Sequence, residues 1–454
     1  MARENFGSRT TAIMAMAGSA IGLGNIWRFP YMVGQNGGAA FILVYIVSAI
    51  LLCIPIFLSE SIIGKRTQLS TFGAMEKLAP GSGWKWMGFL TVFTPLIILS
   101  YYSVVGGWSI EYFIKSLGFA FSDPAISRTE HSAIFGAFIS STWKPLLWHT
   151  VFMLLNALLV VFGVRKGIEK FTKVTTPVLF VLMVVIMVYS LSLPGARAGV
   201  DYLLKPDFSK LTGSAMLSAM GQAFFSLSLG VGCILTYASY LKKDENVLST
   251  GLFTAGFDLF FALIAGFAIM PAVFAAGIEP GAGPGLIFET LPYIFSSMGQ
   301  SAPVVSGIVA IVFFITILFA ALTSSISMLE TGVAYLVDER KMGRVKATVI
   351  LFCCCWLLGV LCSLSFGPLR DVHLPGGTIF DFCDKLTSNF LMTFGSLLFV
   401  LFVGWKMKKA DVRDEFTNGE SLKANSRLFG FFYFLVRWVA PIAIIVIFAS
   451  NLFL

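Results

Sequence analysis

Eleven stretches of this chain run for about 20 residues or more with few charges, and a segment of that length and character is solvated by lipid rather than water. They lie at 8–35, 37–64, 84–117, 145–164, 169–191, 214–241, 246–277, 302–337, 346–366, 378–407 and 428–453, numbered here as spans 1 to 11. Several exceed the minimum, which implies tilt or projection beyond the bilayer. Composition agrees: 57% of residues are hydrophobic and 12% charged, where a soluble domain carries about 25% charge. The expected class is an all-α polytopic membrane protein in a lipid bilayer, one domain over 1–454 with no loop long enough to bury a soluble core.

The net charge of +8 resolves into short clusters between apolar runs, at Lys65–Arg66, Arg165–Lys166, Lys242–Lys243 and Arg340–Lys341. This is the positive-inside pattern. No contiguous basic face with aromatic interleaving exists, so nucleic acid is not an expected partner. With the N-terminus inside, the inner loops 65–83, 165–170, 241–246, 338–346 and 408–427 all carry Lys or Arg, while 118–143 and 278–300 carry few. An odd number of spans then leaves the C-terminus outside. Span 1 continues into Arg28-Phe29-Pro30 without a small-residue cleavage site and reads as a retained helix. The seven cysteines fall mostly inside apolar runs and read as reduced packing residues.

Spans 1 and 6 are interrupted from within. Span 1 contains Ala17-Gly-Ser-Ala-Ile-Gly-Leu-Gly-Asn25, and span 6 contains Phe224-Phe-Ser-Leu-Ser-Leu-Gly-Val-Gly232. Glycine weakens a helix by about 1 kcal/mol relative to alanine, and Ser and Asn offer the backbone competing hydrogen bonds. Gly18-x-x-x-Gly22 alone also fits a helix-packing motif. Two breaks five spans apart, in helices that start on opposite sides of the membrane, fit an inverted repeat with a midplane transport site. The expected division is 8–191, 214–407 and an eleventh helix at 428–453.

Gly18-Ser-Ala-Ile-Gly-Leu-Gly-Asn-Ile-Trp-Arg-Phe-Pro-Tyr31, followed by Gln35-Asn-Gly-Gly38, resembles the first-helix signature of the neurotransmitter:sodium symporter family. Tyr101-Tyr102, Gly167-Ile-Glu-Lys170, Gln222-Ala-Phe-Phe-Ser-Leu-Ser-Leu-Gly230, Thr236-Tyr-Ala-Ser-Tyr240, Gly283-Pro-Gly-Leu-Ile-Phe288 and Leu322-Thr-Ser-Ser325 agree in order and spacing. The resemblance is to bacterial eleven-helix members. It implies a LeuT-type fold in a bacterial plasma (inner) membrane, with helices 1 and 6 unwound at the midplane. It also implies sodium-coupled import of an amino acid by alternating access, at two sodium sites.

By that resemblance, one sodium takes the Ala20 carbonyl, Asn25, Ser226, Asp258 and the substrate carboxylate. The second takes the carbonyls of Gly18, Ile21 and Ala320 and the hydroxyls of Thr323 and Ser324. A Thr-Ser pair on one helical turn suits a hard cation, although the same hydroxyls commonly bond back to the preceding turn. The substrate carboxylate would meet the amides near Leu23 and Gly24, at a half-helix N-terminus, and the Tyr102 hydroxyl. The amino group would be held by carbonyls near Ala20, Phe225 and Ser226. The side-chain pocket would be Ser19, Ile98, Phe225, Ser228, Val231, Ser324 and Met328. Family members that carry monoamines have Asp at position 22. Gly22 here implies that the negative charge arrives with the cargo, and the pocket offers no counter-charge to a charged side chain. A neutral, hydrophobic or aromatic L-amino acid fits best.

Asp258 stands where many relatives have Asn. A fixed carboxylate beside the first sodium would supply the charge that chloride brings to animal relatives, so chloride is not expected. Arg28 with Asp384 would close the outer vestibule, Asp381 being the rival partner, and Arg3 with Asp338 the inner side, packed by Phe6 and Tyr240. Glu60, deep in span 2, needs a polar partner, and the amides of the span 6 break are candidates. Gly167 and Pro177 bracket a hinge or a static kink in span 5. A carrier of another small zwitterion, or a non-transporting channel- or receptor-like relative, is the alternative. The three histidines form no H-E-x-x-H pair and neither G-x-S-x-G nor a phosphate-cradling loop occurs, so no enzyme is expected.

Overall fold

The computed structural model describes residues 4–279, 283–300, 302–419 and 426–453. Among them nine uninterrupted helices are long and apolar enough to cross a membrane. These are spans 2 to 5 and 7 to 11, observed at Ala39–Thr67, Lys85–Leu117, Trp143–Val161, Val164–Leu191, Val247–Ala275, Pro303–Arg340, Arg344–Leu364, Ile379–Lys406 and Arg427–Ser450. The two missing from that set are spans 1 and 6, each split into half-helices too short to cross alone.

Span 1 starts on a reciprocal cap. Ser8 Oγ accepts from the Thr11 amide, and the Thr11 hydroxyl accepts from the Ser8 amide at 3.1 Å, which satisfies two otherwise orphaned donors. The helix Arg9–Ala20 then stops, because Ile21 is extended (φ −70°, ψ 106°). It resumes at Gly24–Arg28 as a wide π-type turn and continues through Phe29–Gln35. Span 6 runs Gly213–Ser226, loses its helix over 227–232, and resumes at Cys233–Ala238. Ser228 (φ 51°), Gly230 (φ 78°) and Gly232 (φ 72°) all sit in the left-handed region there. A hydroxyl-bearing residue in that region is uncommon and marks strain held by its surroundings.

Both breaks are shorter than the Gly/Ser-rich runs that announce them. Gly18 remains helical, and its role is close approach: a Cβ there would lie 2.9 Å from Thr176 Oγ1 and 3.3 Å from Thr323 Cβ. The packing motif and the break are therefore both present, Gly18 serving the first and Gly22 lying in the second.

The first half of span 1 packs against spans 5, 7 and 8, and spans 3 and 8 make the most extensive helix contact. Span 3 buries 72% of its most apolar window and spans 4 and 5 only 33%, so span 3 is core and spans 4 and 5 present their apolar faces to lipid. Span 5 begins five residues earlier than the sequence suggests, in a π-type turn at Val164–Glu169 containing Gly167. Short helices at Thr71–Leu78, Arg128–Ser140, Ala196–Leu204, Thr290–Met298 and Lys409–Thr417 cover the ends.

Candidate functional site

The break in span 1 is wired by its own polar groups. The Gly22 amide donates to Asn25 Oδ1 at 3.2 Å, and the Leu23 amide donates to the Tyr102 hydroxyl at 3.1 Å. The Gly24 carbonyl accepts from Gln222 Nε2 of span 6 at 3.0 Å. Tyr102 and the Leu23 amide, both candidate carboxylate donors, thus meet each other across the break. A Cβ on Gly22 would lie 2.9 Å from Tyr102 Oη and 3.1 Å from Ser324 Cβ, so nothing larger fits without displacing them.

Beside the break lies a buried knot of oxygen chemistry. Asn25 Nδ2 donates to Asp258 Oδ1 at 2.8 Å and to Ser226 Oγ at 3.0 Å. Ser226 Oγ donates to Asp258 Oδ2 at 2.8 Å and accepts from the Tyr45 hydroxyl at 3.2 Å. All four residues are essentially inaccessible. A carboxylate, a hydroxyl and an amide that presents its oxygen after a half-turn form a hard-oxygen set suited to an alkali cation. Ala20 ends the first half-helix at the edge of the neighbouring cavity. Gln222 opens the span 6 motif but carries no assigned role there, and Tyr45 is missed altogether, because a lone Tyr in an apolar span has no periodicity that separates it from packing.

A second meeting point lies where Gly18 faces span 8. Thr323 Oγ1 bonds back to the Phe319 carbonyl at 3.0 Å and the Ala320 carbonyl at 3.1 Å. Ser324, one residue on, faces Gly22. Ile21, Ala320, Thr323 and Ser324 are buried. Span 5 adds Thr176, whose hydroxyl donates to the Met14 carbonyl at 3.1 Å.

Between these clusters is a cavity of about 20 Å³, the space of roughly one water. Ala20, Gly22, Leu23, Gly24, Ile98, Tyr102, Phe225, Ser228, Val231, Ser324 and Met328 line it, with Met392 of span 10 added to those expected from the sequence. Two assigned side chains point elsewhere. Ser19 Oγ donates to Ser327 Oγ at 2.7 Å, leaving only its backbone near Ser228, and Ser226 Oγ is committed to Asp258.

Tyr102 and Phe225 separate this cavity from a vestibule of about 310 Å³ at the end expected to face outward, lined by Trp27, Arg28, Tyr31, Trp108, Phe380 and Asp384 among others. The expected outer pair is not joined: among the described residues no ion pair within 4 Å links Arg28 to Asp384. The guanidinium lies instead over the Phe225 ring, 4.6 Å from its centroid, a contact worth about 0.5–1 kcal/mol at such sites. The rival Asp381 is committed to the start of span 10, where it accepts from Thr378 at 2.8 Å.

The opposite end, expected to face inward, is packed shut. Phe6 sits between the rings of Tyr237 and Tyr240, at 6.0 and 6.1 Å, and its amide donates to the Tyr240 carbonyl at 3.0 Å. Arg3 of the expected inner pair lies outside the described residues, and Asp338 accepts from the Ser70 amide at 2.9 Å. The charge pair observed nearby is one the sequence reading passed over: Glu330 of span 8, wholly buried, accepts from the Tyr240 hydroxyl at 2.6 Å and is paired to Arg344. A carboxylate inside a long apolar span was the available signal. Glu60 meets the other break, accepting from the Gly230 amide at 2.7 Å.

The family model described as "Sodium:neurotransmitter symporter family" matches residues 3–127 and 140–454. An "Uncharacterized sodium-dependent transporter YhdH" of Bacillus subtilis (strain 168) is 40% identical over 445 residues, covering 98% of this chain and 96% of the relative. An "Uncharacterized sodium-dependent transporter" of Haemophilus influenzae is 35% identical, covering 99% of this chain and 98% of its own length. Among solved structures, that of MhsT in complex with L-phenylalanine superposes with a TM-score of 0.90 at 41% identity, over 99% of this chain and all of the other.

Proposed function

Because this chain belongs to the sodium:neurotransmitter symporter family, we propose that it imports a neutral, hydrophobic or aromatic L-amino acid with sodium and without chloride. The family and the eleven-helix, LeuT-type fold make it a polytopic, sodium-dependent symporter, not an enzyme. The proposal extends this to cargo, ion sites and orientation. The two five-helix repeats are 8–191 and 214–407, the N-terminus is cytoplasmic in a bacterial inner membrane, and the C-terminus lies outside.

The observation that carries the cargo reading is Gly22 in the break. Its Cα lies against Tyr102 and Ser324, and no carboxylate lines the cavity. A zwitterion must bring its own negative charge to the Leu23 and Gly24 amides and Tyr102. The apolar lining of Ile98, Phe225, Val231, Met328 and Met392 favours an uncharged side chain, and the similar structure holds L-phenylalanine.

Each residue then has one task. Asn25, Ser226, Asp258 and the Ala20 carbonyl hold the first sodium beside the substrate carboxylate. The carbonyls of Gly18, Ile21 and Ala320, with Thr323 and Ser324, hold the second. Sodium draws Asn25 Oδ1 and Thr323 Oγ1 out of their present hydrogen bonds, so ion binding and the opening of the cavity are linked. Asp258 supplies the negative charge beside the first site, which supports chloride independence. Arg28 closes onto Asp384 above, and Glu330, Arg344 and Tyr240 hold the inner side below. The Arg28 cation–π contact is worth about 0.5–1 kcal/mol, a scale that suits a gate that opens every cycle.

The test is uptake of a panel of radiolabelled amino acids into proteoliposomes, with inward sodium gradients in chloride or gluconate. We expect concentrative uptake of a hydrophobic or aromatic L-amino acid that needs sodium and ignores the anion. No sodium-stimulated accumulation of any neutral amino acid would overturn the reading.

A further inference from the structure

Of the seven cysteines, all free thiols, two from different helices face each other. Cys362 near the end of span 9 and Cys383 at the start of span 10 place their Sγ atoms 4.0 Å apart, both buried. Among the described residues this is the one thiol–thiol contact. A disulfide needs the sulfurs at about 2.05 Å, about 2 Å closer than they stand. The backbone around them is already tied: the Ser365 hydroxyl donates to the Cys362 carbonyl at 2.7 Å and accepts from the Phe380 amide at 3.4 Å.

The position gives the pair a consequence. Cys383 immediately precedes Asp384, the vestibule carboxylate opposite Arg28. The Cys383 carbonyl accepts from the Thr387 hydroxyl at 2.8 Å, and that hydroxyl meets the Tyr101 hydroxyl of span 3 at 3.1 Å. A π-type turn follows at Leu386–Leu391. Such turns often mark functional sites. Span 9, in contrast, packs on spans 3 and 4 along its length. A covalent bond from Cys362 to Cys383 would fasten the start of span 10 to this scaffold and limit the travel Asp384 needs to reach Arg28.

We propose that Cys362 and Cys383 are a redox-switched pair that restrains outer closure when oxidised. The reaction is thiol–disulfide exchange with a low-molecular-weight disulfide. One cysteine thiolate attacks it, releasing one small thiol and leaving a mixed disulfide. The second cysteine attacks that intermediate and releases the other small thiol. The two cysteines are oxidised, the reagent is reduced to two thiols, and their two protons are taken up by them. On the topology proposed above, both cysteines lie toward the outside, where disulfides persist.

The experiment treats the purified transporter, and separately proteoliposomes, with dipyridyl disulfide, then maps disulfides by mass spectrometry and measures uptake before and after dithiothreitol. We expect a Cys362–Cys383 cross-linked peptide, distinguishable from pyridyl mixed disulfides at the exposed Cys353 and Cys354. We also expect about a fivefold fall in initial uptake rate, because a restrained closing motion slows any turnover that a conformational step limits, reversed by the reductant. Cys362→Ser and Cys383→Ser should each keep the uptake of the reduced protein and resist the reagent. Absence of the cross-linked peptide, or a cross-linked population that transports at the reduced rate, would overturn the proposal. The peptide map stands whether or not an amino acid is carried, so it fails separately from the functional reading.

Discussion

At the scale of single residues, Asp258 is decisive. Its two oxygens take hydrogen bonds from Asn25 and Ser226 at 2.8 Å each, in a setting with no access to water. A buried carboxylate held this way costs several kcal/mol of desolvation, and function is the usual reason to keep it. Asp258→Asn keeps the shape and removes the charge. We expect at least about a tenfold loss of sodium-driven uptake in gluconate, with partial recovery in chloride, since removing a buried charged partner costs about 2–3 kcal/mol. Unchanged, chloride-insensitive uptake in that variant would defeat the idea. The Asp was visible in the sequence as an oddity in span 7. Its pairing with Asn25 and Ser226 was implied by the family resemblance; what the sequence did not contain was Tyr45 of span 2, whose hydroxyl donates to Ser226, because residues 181 positions apart share no local pattern.

At the scale of elements, the outer helix Arg128–Ser140 shows what local chemistry and packing each contribute. It coincides with the stretch between the two parts matched by the family model. Ser127 and Glu130 form a reciprocal cap at its start. Its His131 is buried against helix Thr290–Met298, with Nε2 2.9 Å from Ser296 Oγ, and Ser132 donates to Glu289 at 2.7 Å. Burial pushes the His131 imidazole below its usual range, only partly opposed by the nearby Glu130 carboxylate. The unfolded chain therefore binds this proton more readily than the folded one, and stability rises with pH across that interval. The contribution is fully present above the ordinary histidine pKa of about 6.5 and fades as pH falls below it. We expect the melting temperature of the purified protein to drop between neutral pH and about pH 5, and His131→Gln to flatten that dependence. An identical pH profile in the variant would exclude His131 as the cause. The short helix breaks carry the same lesson. Gly230 is required twice over, by its left-handed backbone and by the Met392 carbonyl, 2.0 Å from where a Cβ would sit. Sequence pattern marks the weakness, but span 10 makes the glycine obligatory.

At the scale of the whole molecule, access is set by which side is packed. A vestibule of about 310 Å³ reaches Tyr102 and Phe225 from one side, while Phe6, Tyr237 and Tyr240 seal the other end, the inner one on the proposed topology. Glu330 links that seal to span 9 through Arg344, whose Nε also donates to the Val160 carbonyl of span 4 at 2.7 Å. One carboxylate thus joins spans 4, 6, 8 and 9. Glu330→Gln leaves Arg344 without its counter-charge in a buried setting, and such losses cost about 3–5 kcal/mol. We expect a clear fall in melting temperature and faster inner-side labelling of a reporter cysteine placed at Ser239. Wild-type melting and labelling together would show that the pair carries no gating load.

The amino-acid sequence alone determined the solvent of this protein, the number of its crossings and which two helices break. Lipid leaves backbone groups no partner but their own helix, and that demand is written in composition and in the spacing of Gly, Ser and Asn. It also determined that the break in span 1 carries no fixed charge at position 22. The tertiary structure decided where each break begins and ends and which hydroxyls face the cavity. It turned Ser19 toward Ser327, and it set Arg28 over Phe225 rather than against Asp384. It also brought Cys362 to Cys383 and Glu330 to Arg344. Those outcomes depend on which neighbour reaches a polar group first once the helices have packed, and helix packing is a property of facing surfaces that no single segment holds.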